Sequence, residues 1–175
     1  MAIICNALNA GISKSCDNNA GGLTNIYVAD KLSVSAYTES NSNITAITMS
    51  GSSKFYEFEF NRGTSNYTES VNIDLNNGTT FFTQTVSLIL SRREKNKAEA
   101  IKKLTDGQKE LFVIVKDSNG LYWAFGKDDG MVVTAIEGGS GAAKADANNY
   151  TITFTAEEAD NAPEISSGII AALLG

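Results

Sequence analysis

Two stretches of this chain alternate apolar and polar side chains, and that period limits what they can fold into. Lys54–Asn61 reads Lys-Phe-Tyr-Glu-Phe-Glu-Phe-Asn, with Phe58 and Phe60 on one side and Glu57 and Glu59 on the other. Tyr67–Leu75 places Tyr67, Glu69, Val71, Ile73 and Leu75 opposite Thr68, Ser70, Asn72 and Asp74. Side chains repeat every second residue along a β-strand and every 3.6 residues around a helix. Both stretches are therefore strands, the second half-buried with one polar face.

Other β-signals surround them. Thr24–Ala29 is a short β-type run, and Ile44–Met49 mixes apolar with small polar residues. Asn76-Asn77-Gly78 marks a turn. Thr79–Leu90 is longer than an ordinary strand, as in closed barrels or hairpins that project beyond the body. Leu111–Val115, Leu121–Phe125, Met131–Ile136 and Tyr150–Phe154 follow, separated by turn signals at Asp117-Ser-Asn-Gly120 and Asp128-Asp-Gly130 and by a flexible connection from Gly138 to Asn149.

One helix is expected near 92–105. Ser91 and Glu94 have the spacing of a capping box, Ala98, Ile101 and Leu104 form a narrow apolar stripe, and Gly107 fits the stop. The fold class is mainly β: an antiparallel β-sandwich or barrel of about nine strands with one flanking α-helix. The 175 residues divide into an N-terminal arm (1–22), a body (23–162) and a C-terminal tail (163–175), together one domain with an extended arm and hairpin loop. Ile3, Ile4, Leu8 and Ile12 in the arm are expected to pack on the body or on a neighbour.

Composition excludes several functions. There is no histidine, so the commonest neutral-pH general base and zinc ligand is missing. The net charge of −6 opposes tight, sequence-independent nucleic-acid binding. Charged residues make up only 19%, which leaves a surface of Ser, Thr, Asn and Gly that an assembly buries at low desolvation cost. Cys5 and Cys16 read as two reduced thiols or as a local disulfide pinning the arm. Met1-Ala-Ile-Ile-Cys-Asn is not expected to be a secretory signal, and Ile169–Gly175 is too short to span a bilayer. Without secretion, the Asn-X-Thr triplets at Asn43, Asn66, Asn77 and Asn149 are by-products of composition.

Candidate constellations mostly reduce to structure. Arg92, Arg93, Lys95, Lys97, Lys102, Lys103 and Lys109 supply half of the 14 cations. They form either a solvated helix face or a patch for an acidic face of a neighbouring subunit. Asp128-Asp129-Gly130 lacks the oxygen ligands of a calcium loop. Gly138-Gly-Ser-Gly141 lacks the residues of a phosphate loop. Glu157 and Glu158 are adjacent and point apart. Trp123, Tyr122 and Phe125 read as core, or as a ligand-stacking surface. No catalytic residue, cofactor or metal is expected.

The order of an N-terminal arm, a hairpin from Lys54-Phe-Tyr-Glu-Phe-Glu-Phe-Asn-Arg-Gly with a loop near Asn61–Asn66, a long strand, one helix and several short strands resembles phage tail-tube proteins. Lys144–Glu158 is similar to the closing strand of tube proteins from phages of Bacteroidetes-type hosts. The resemblance implies stacked hexameric rings with strands lining a channel. Double-stranded DNA would pass through it without tight binding, and other tail proteins would be partners. It implies a virion location, with the host cytoplasm before assembly and no membrane insertion. Ile3, Ile4, Leu8, Asn61, Arg62 and Tyr67 are then candidate inter-subunit contacts. Glu57, Glu59, Ser70, Asn72 and Asp74 are candidates for lumen or interface. Other readings are another virion part (tail terminator, head–tail adaptor or capsid decoration protein) and a β-barrel ligand-binding module or enzyme built around Trp123.

Overall fold

The computed structural model describes residues 11–175. Its strands are β1 (Leu23–Asp30), β2 (Val34–Ser40), β3 (Asn43–Met49), β4 (Tyr56–Phe58), β5 (Asn66–Asp74), β6 (Thr79–Ser91), β7 (Leu111–Asp117), β8 (Tyr122–Phe125), β9 (Val132–Gly139), β10 (Asn149–Glu158) and β11 (Glu164–Ile165). Two α-helices, α1 (Lys95–Thr105) and α2 (Ser167–Leu173), complete the order.

The strands form a seven-stranded sheet, β2-β3-β11-β8-β7-β1-β4, and a four-stranded sheet, β5-β6-β10-β9. The mainly-β, sandwich-like fold expected from the alternation is what forms. No closed barrel is present among the described residues.

One core lies between the sheets. From β6 come Val86, Leu88 and Leu90, from β10 Ile152 and Phe154, and across from them stand Ile26, Val28, Leu111, Val113 and Val115. Intervening residues of β1 and β7 point the other way. Tyr27, Phe112 and Ile114 meet Ile44, Phe55, Ile165, Ile170 and Leu173 in a second core. Thus β7 is buried on both faces, and its sequence Leu-Phe-Val-Ile-Val is a continuous apolar run for that reason.

The second core depends on residues 163–175, read from sequence as a tail after Pro163. This segment inserts β11 between β3 and β8 and lays α2 over the sheet. Ala124 N–H donates to the Pro163 carbonyl at 3.0 Å, and Phe55 N–H to the Leu173 carbonyl at 2.9 Å.

Three expectations need correction. Ser91 does not cap α1. It ends β6, and the helix starts at Lys95 after Glu94, with no side-chain cap bond. Arg92, in a left-handed conformation (φ 60°), makes the turn between them. Lys54–Asn61 does not pair with the strand that follows it. β4 pairs with β1 in the larger sheet and β5 pairs with β6 in the smaller, so Asn61–Ser65 is a crossover between layers. The described residues hold two α-helices where one was expected, because α2 is too short to carry a periodic signal in the sequence.

The layers are also joined by polar bonds. Gln84, buried on β6, accepts from Gly126 N–H at 3.1 Å and donates to Glu69 Oε1 on β5 at 3.1 Å. Glu69 Oε1 accepts from Ala162 N–H at 2.7 Å. Glu158, at the end of β10, accepts from Asp128 and Asp129 N–H at 3.1–3.3 Å. Every donor to these side chains of the smaller sheet other than Gln84 is backbone in a segment flanking the larger sheet. Gly126 must be glycine, because its φ is +66° and a Cβ would collide with Met131.

Replacing Gln84 with Ala leaves Gly126 N–H buried without an acceptor. Chemical denaturation is expected to show a loss of about 1–3 kcal/mol. A loss below about 0.5 kcal/mol would mean that water replaces the bond.

Candidate assembly surface

The four-stranded sheet has one face in the core and one turned away from it. On the outward face, pairing puts residues side by side in rows. Thr68, Thr85, Thr155 and Val132 form one row, Ser70, Thr83 and Glu157 a second, and Asn66, Ser87, Thr153 and Ala135 a third. Thr134 and Thr155 hydroxyls lie 3.1 Å apart. The face is a wall of hydroxyls. No lysine or arginine occurs on any of the four strands, although the chain has 14.

Strands β5 and β9 each have one neighbour within the sheet, so each leaves a row of backbone donors and acceptors unpaired along its other side. All three internal pairings are antiparallel. Among the described residues the sheet is therefore an even, alternating set with two open edges.

The β5–β6 hairpin is longer than the sheet that supports it. Pairing with β10 stops at Phe82, whereas β5 pairs on to Asp74↔Thr79. Beyond the core, the alternating face of β5 has nothing to cover. Val71 is 49% exposed, Ile73 62% and Leu75 90%. The expected half-buried strand is buried only at its base, where the Tyr67 ring lies 5.1 Å from that of Phe125.

The remaining candidates are dispersed. Tyr67 is occupied by the core. Asn61 lies in the crossover and donates to Ser91 Oγ at 2.6 Å, and Arg62 beside it is exposed. Glu57 and Glu59 project from the β4 side of the larger sheet, as the alternation requires, and Glu57 accepts from Asn25 Nδ2 at 2.6 Å. They do not share a surface with Ser70, Asn72 and Asp74. Ser70 and Asn72 are on the hydroxyl wall, where Asn72 donates to Thr83 Oγ1 at 2.8 Å. Asp74 shapes the hairpin turn by accepting from Asn76 and Asn77 N–H, and those bonds hold its carboxyl below the usual range.

Ile3, Ile4, Cys5 and Leu8 lie outside the described residues. Ile12 is fully exposed and Cys16 is exposed. Among the described residues of the arm, the bonds to the body lie near its end, where Ala20 N–H donates to Asn119 Oδ1 at 2.8 Å and Ser118 Oγ donates to the Gly21 and Gly22 carbonyls at 3.0 Å.

Trp123 packs against the first core and donates from Nε1 to Asp117 at 3.3 Å. A concavity of about 760 Å³ lies elsewhere, between β4 and α1, lined by Val28, Tyr56, Phe58, Leu90, Leu104 and Leu111 together with charged side chains. No group of three or more Cys, Asp or Glu side chains placed to hold a metal occurs among the described residues. No helix among them is long and apolar enough to cross a membrane.

Where the end of β10 meets the β8–β9 turn, the charges are concentrated. Lys127 lies 2.8 Å from Glu39, Tyr37 donates to Asp128, and Asp129 and Asp160 stand near. Burial alone would lower the Lys127 ammonium, but the Glu39 hydrogen bond and the surrounding carboxylates raise it on balance. For Glu158, burial raises the carboxyl and outweighs the two backbone donors.

Comparison with protein-family models, with curated proteins and with solved structures gives no match.

The raised Glu158 carboxyl sets a direction for pH dependence. A folded-state value above the unfolded one contributes stability below the unfolded value, about 4.5, and loses it as pH rises through the folded value. Melting curves of wild type and Glu158→Gln are therefore expected to diverge on acidification, the wild type gaining relative to the variant as pH falls from about 7 to about 4.5. A wild type that loses ground over that range would refute the assignment.

Proposed function

We propose that this chain is the structural subunit of a phage tail tube, assembling into stacked hexameric rings around a channel for DNA. The observation that carries the reading is the construction of the four-stranded sheet. Under cyclic symmetry every copy points the same way along the axis. Because the sheet has an even number of alternating strands, β9 of one copy and β5 of the next run antiparallel. Edge-to-edge pairing can then continue around a ring and leave no free edge.

The outward face suits a channel wall. Hydroxyl rows with Glu157 offer phosphates no cationic trap, so DNA slides instead of binding. Ser70 and Asn72 belong to this wall in the proposed tube, whereas Glu57 and Glu59 lie outside it. The overhanging hairpin carries apolar side chains that the described residues do not bury, which fits a contact with a neighbour.

Sedimentation velocity and negative-stain microscopy test the reading. Wild type is expected to form hollow rods of stacked rings. Single rings would assign the chain to a terminator or adaptor, and a monomer at high concentration would defeat the proposal. Ile73→Asp with Leu75→Asp is expected to leave monomer stability within about 1 kcal/mol of wild type, because both sites are exposed, while preventing assembly. Rods formed by that variant would remove the hairpin from the contact.

A further inference from the structure

The molecule is electrically polar along β10. Residues 92–109 hold seven of the 14 cations but three of the 20 acidic residues. The N-terminal end of α1 gathers Arg92, Arg93, Lys95 and Lys97 around one carboxylate, that of the N-cap residue Glu94, with no further acidic residue in the first turn. Cations there oppose the helix dipole. The exposed pairs Arg92–Glu94 (3.0 Å) and Lys95–Glu99 (3.7 Å) offset little of it, whereas Lys97 is partly satisfied by Glu94 (3.9 Å) and by the Ser91 and Arg92 carbonyls. Arg93 lies 4.9 Å over the ring of Tyr150, which places this pole at the start of β10.

The other end of β10 is acidic. Glu158 stands with Glu39, Asp128, Asp129 and Asp160 around Lys127, and Glu157 beside it on β10 faces the opposite side of the sheet. Asp129, Glu157 and Asp160 form no ion pair among the described residues. Tyr150 and Glu157 are seven residues apart on one strand, roughly 23 Å. That exceeds two screening lengths at physiological salt, so the poles do not neutralise each other within one chain.

We propose that these poles are the two halves of a head-to-tail contact between copies, the start of α1 on one chain meeting the β8–β9 turn and residues 157–160 of the next. The inference rests on the tail-tube reading, in which strands run obliquely along the axis and their ends face the rings above and below. A second copy fits better than nucleic acid. It supplies carboxylates to the basic pole and cations to the acidic pole at once, whereas the chain's net charge of −6 repels phosphate. Complementary unlike surfaces on one molecule propagate instead of closing as a dimer.

Charge reversal tests this. Arg92→Glu with Lys95→Glu makes the first pole acidic, and Asp129→Lys with Asp160→Lys makes the second basic. Each variant, shown to be folded by circular dichroism, is expected to give single rings without rods. An equimolar mixture is expected to recover rods, since each then meets its complement. Wild-type rods should also shorten between about 50 and about 500 mM NaCl, as the screening length falls from roughly 14 to 4 Å. Rods from either variant alone, or a mixture that recovers none, would overturn the contact while wild-type rods keep the tube reading intact. A wild type that assembles at no salt concentration would remove both. Lost binding to duplex DNA by the first variant, with unchanged rods, would assign the basic pole to nucleic acid and overturn the proposal.

Discussion

The architecture depends on β6 having two faces and two neighbours at once. Its 13 residues pair with β5 on one side and β10 on the other. Its inward residues, Val86, Leu88 and Leu90, fill the core, and Gln84 among them carries the polar link to the other layer. Its outward residues, Thr83, Thr85 and Ser87, form the middle of the hydroxyl wall. A one-residue slip would exchange the two sets, placing hydroxyls in the core and Val and Leu on the wall. The register is therefore fixed strongly, and the outward surface is fixed with it.

This is why the fold class is legible in the sequence. Period-two alternation in Tyr67–Leu75 and Tyr150–Phe154 reports which residues share a face. The uninterrupted apolar run at Leu111–Val115 reports a strand covered on both sides. What the alternation does not report is partnership. Lys54–Asn61 and Tyr67–Leu75 look like the two arms of a hairpin because they are neighbours in sequence, yet they enter different sheets. The choice is made by distant residues: Val28 and Ile26 opposite Tyr56 and Phe58, and Thr83 and Phe82 opposite Ser70 and Val71.

The C-terminal segment was hidden for a different reason. β11 has two residues, below any periodicity, and α2 has seven, about two turns. Neither holds a conformation alone, because helix nucleation is costly and a two-residue strand has almost no side-chain surface. They form because an apolar sheet face is waiting for Ile165, Ile170 and Leu173. The capping-box reading of Ser91 failed through the same kind of override. Pairing with Asn149 keeps Ser91 in β6, and the helix begins with no side-chain cap.

The candidate surface was partly visible. Ser70 and Asn72 were recognisable as one polar face, but the rest of the wall comes from β6, β9 and β10 and needed the sheet order to assemble it. The length of Thr79–Leu90 fits either a closed barrel or a projecting hairpin, and the alternation of Tyr67–Leu75 reads as half-buried along its length, so the overhang of Val71, Ile73 and Leu75 was not legible in the sequence. Alternation states that such side chains share a face, and only the cross-strand register states where the core beneath that face ends. A continuous apolar pattern that outruns its own core therefore has a physical meaning: none of the described residues buries it, and in the proposed tube a neighbouring copy would.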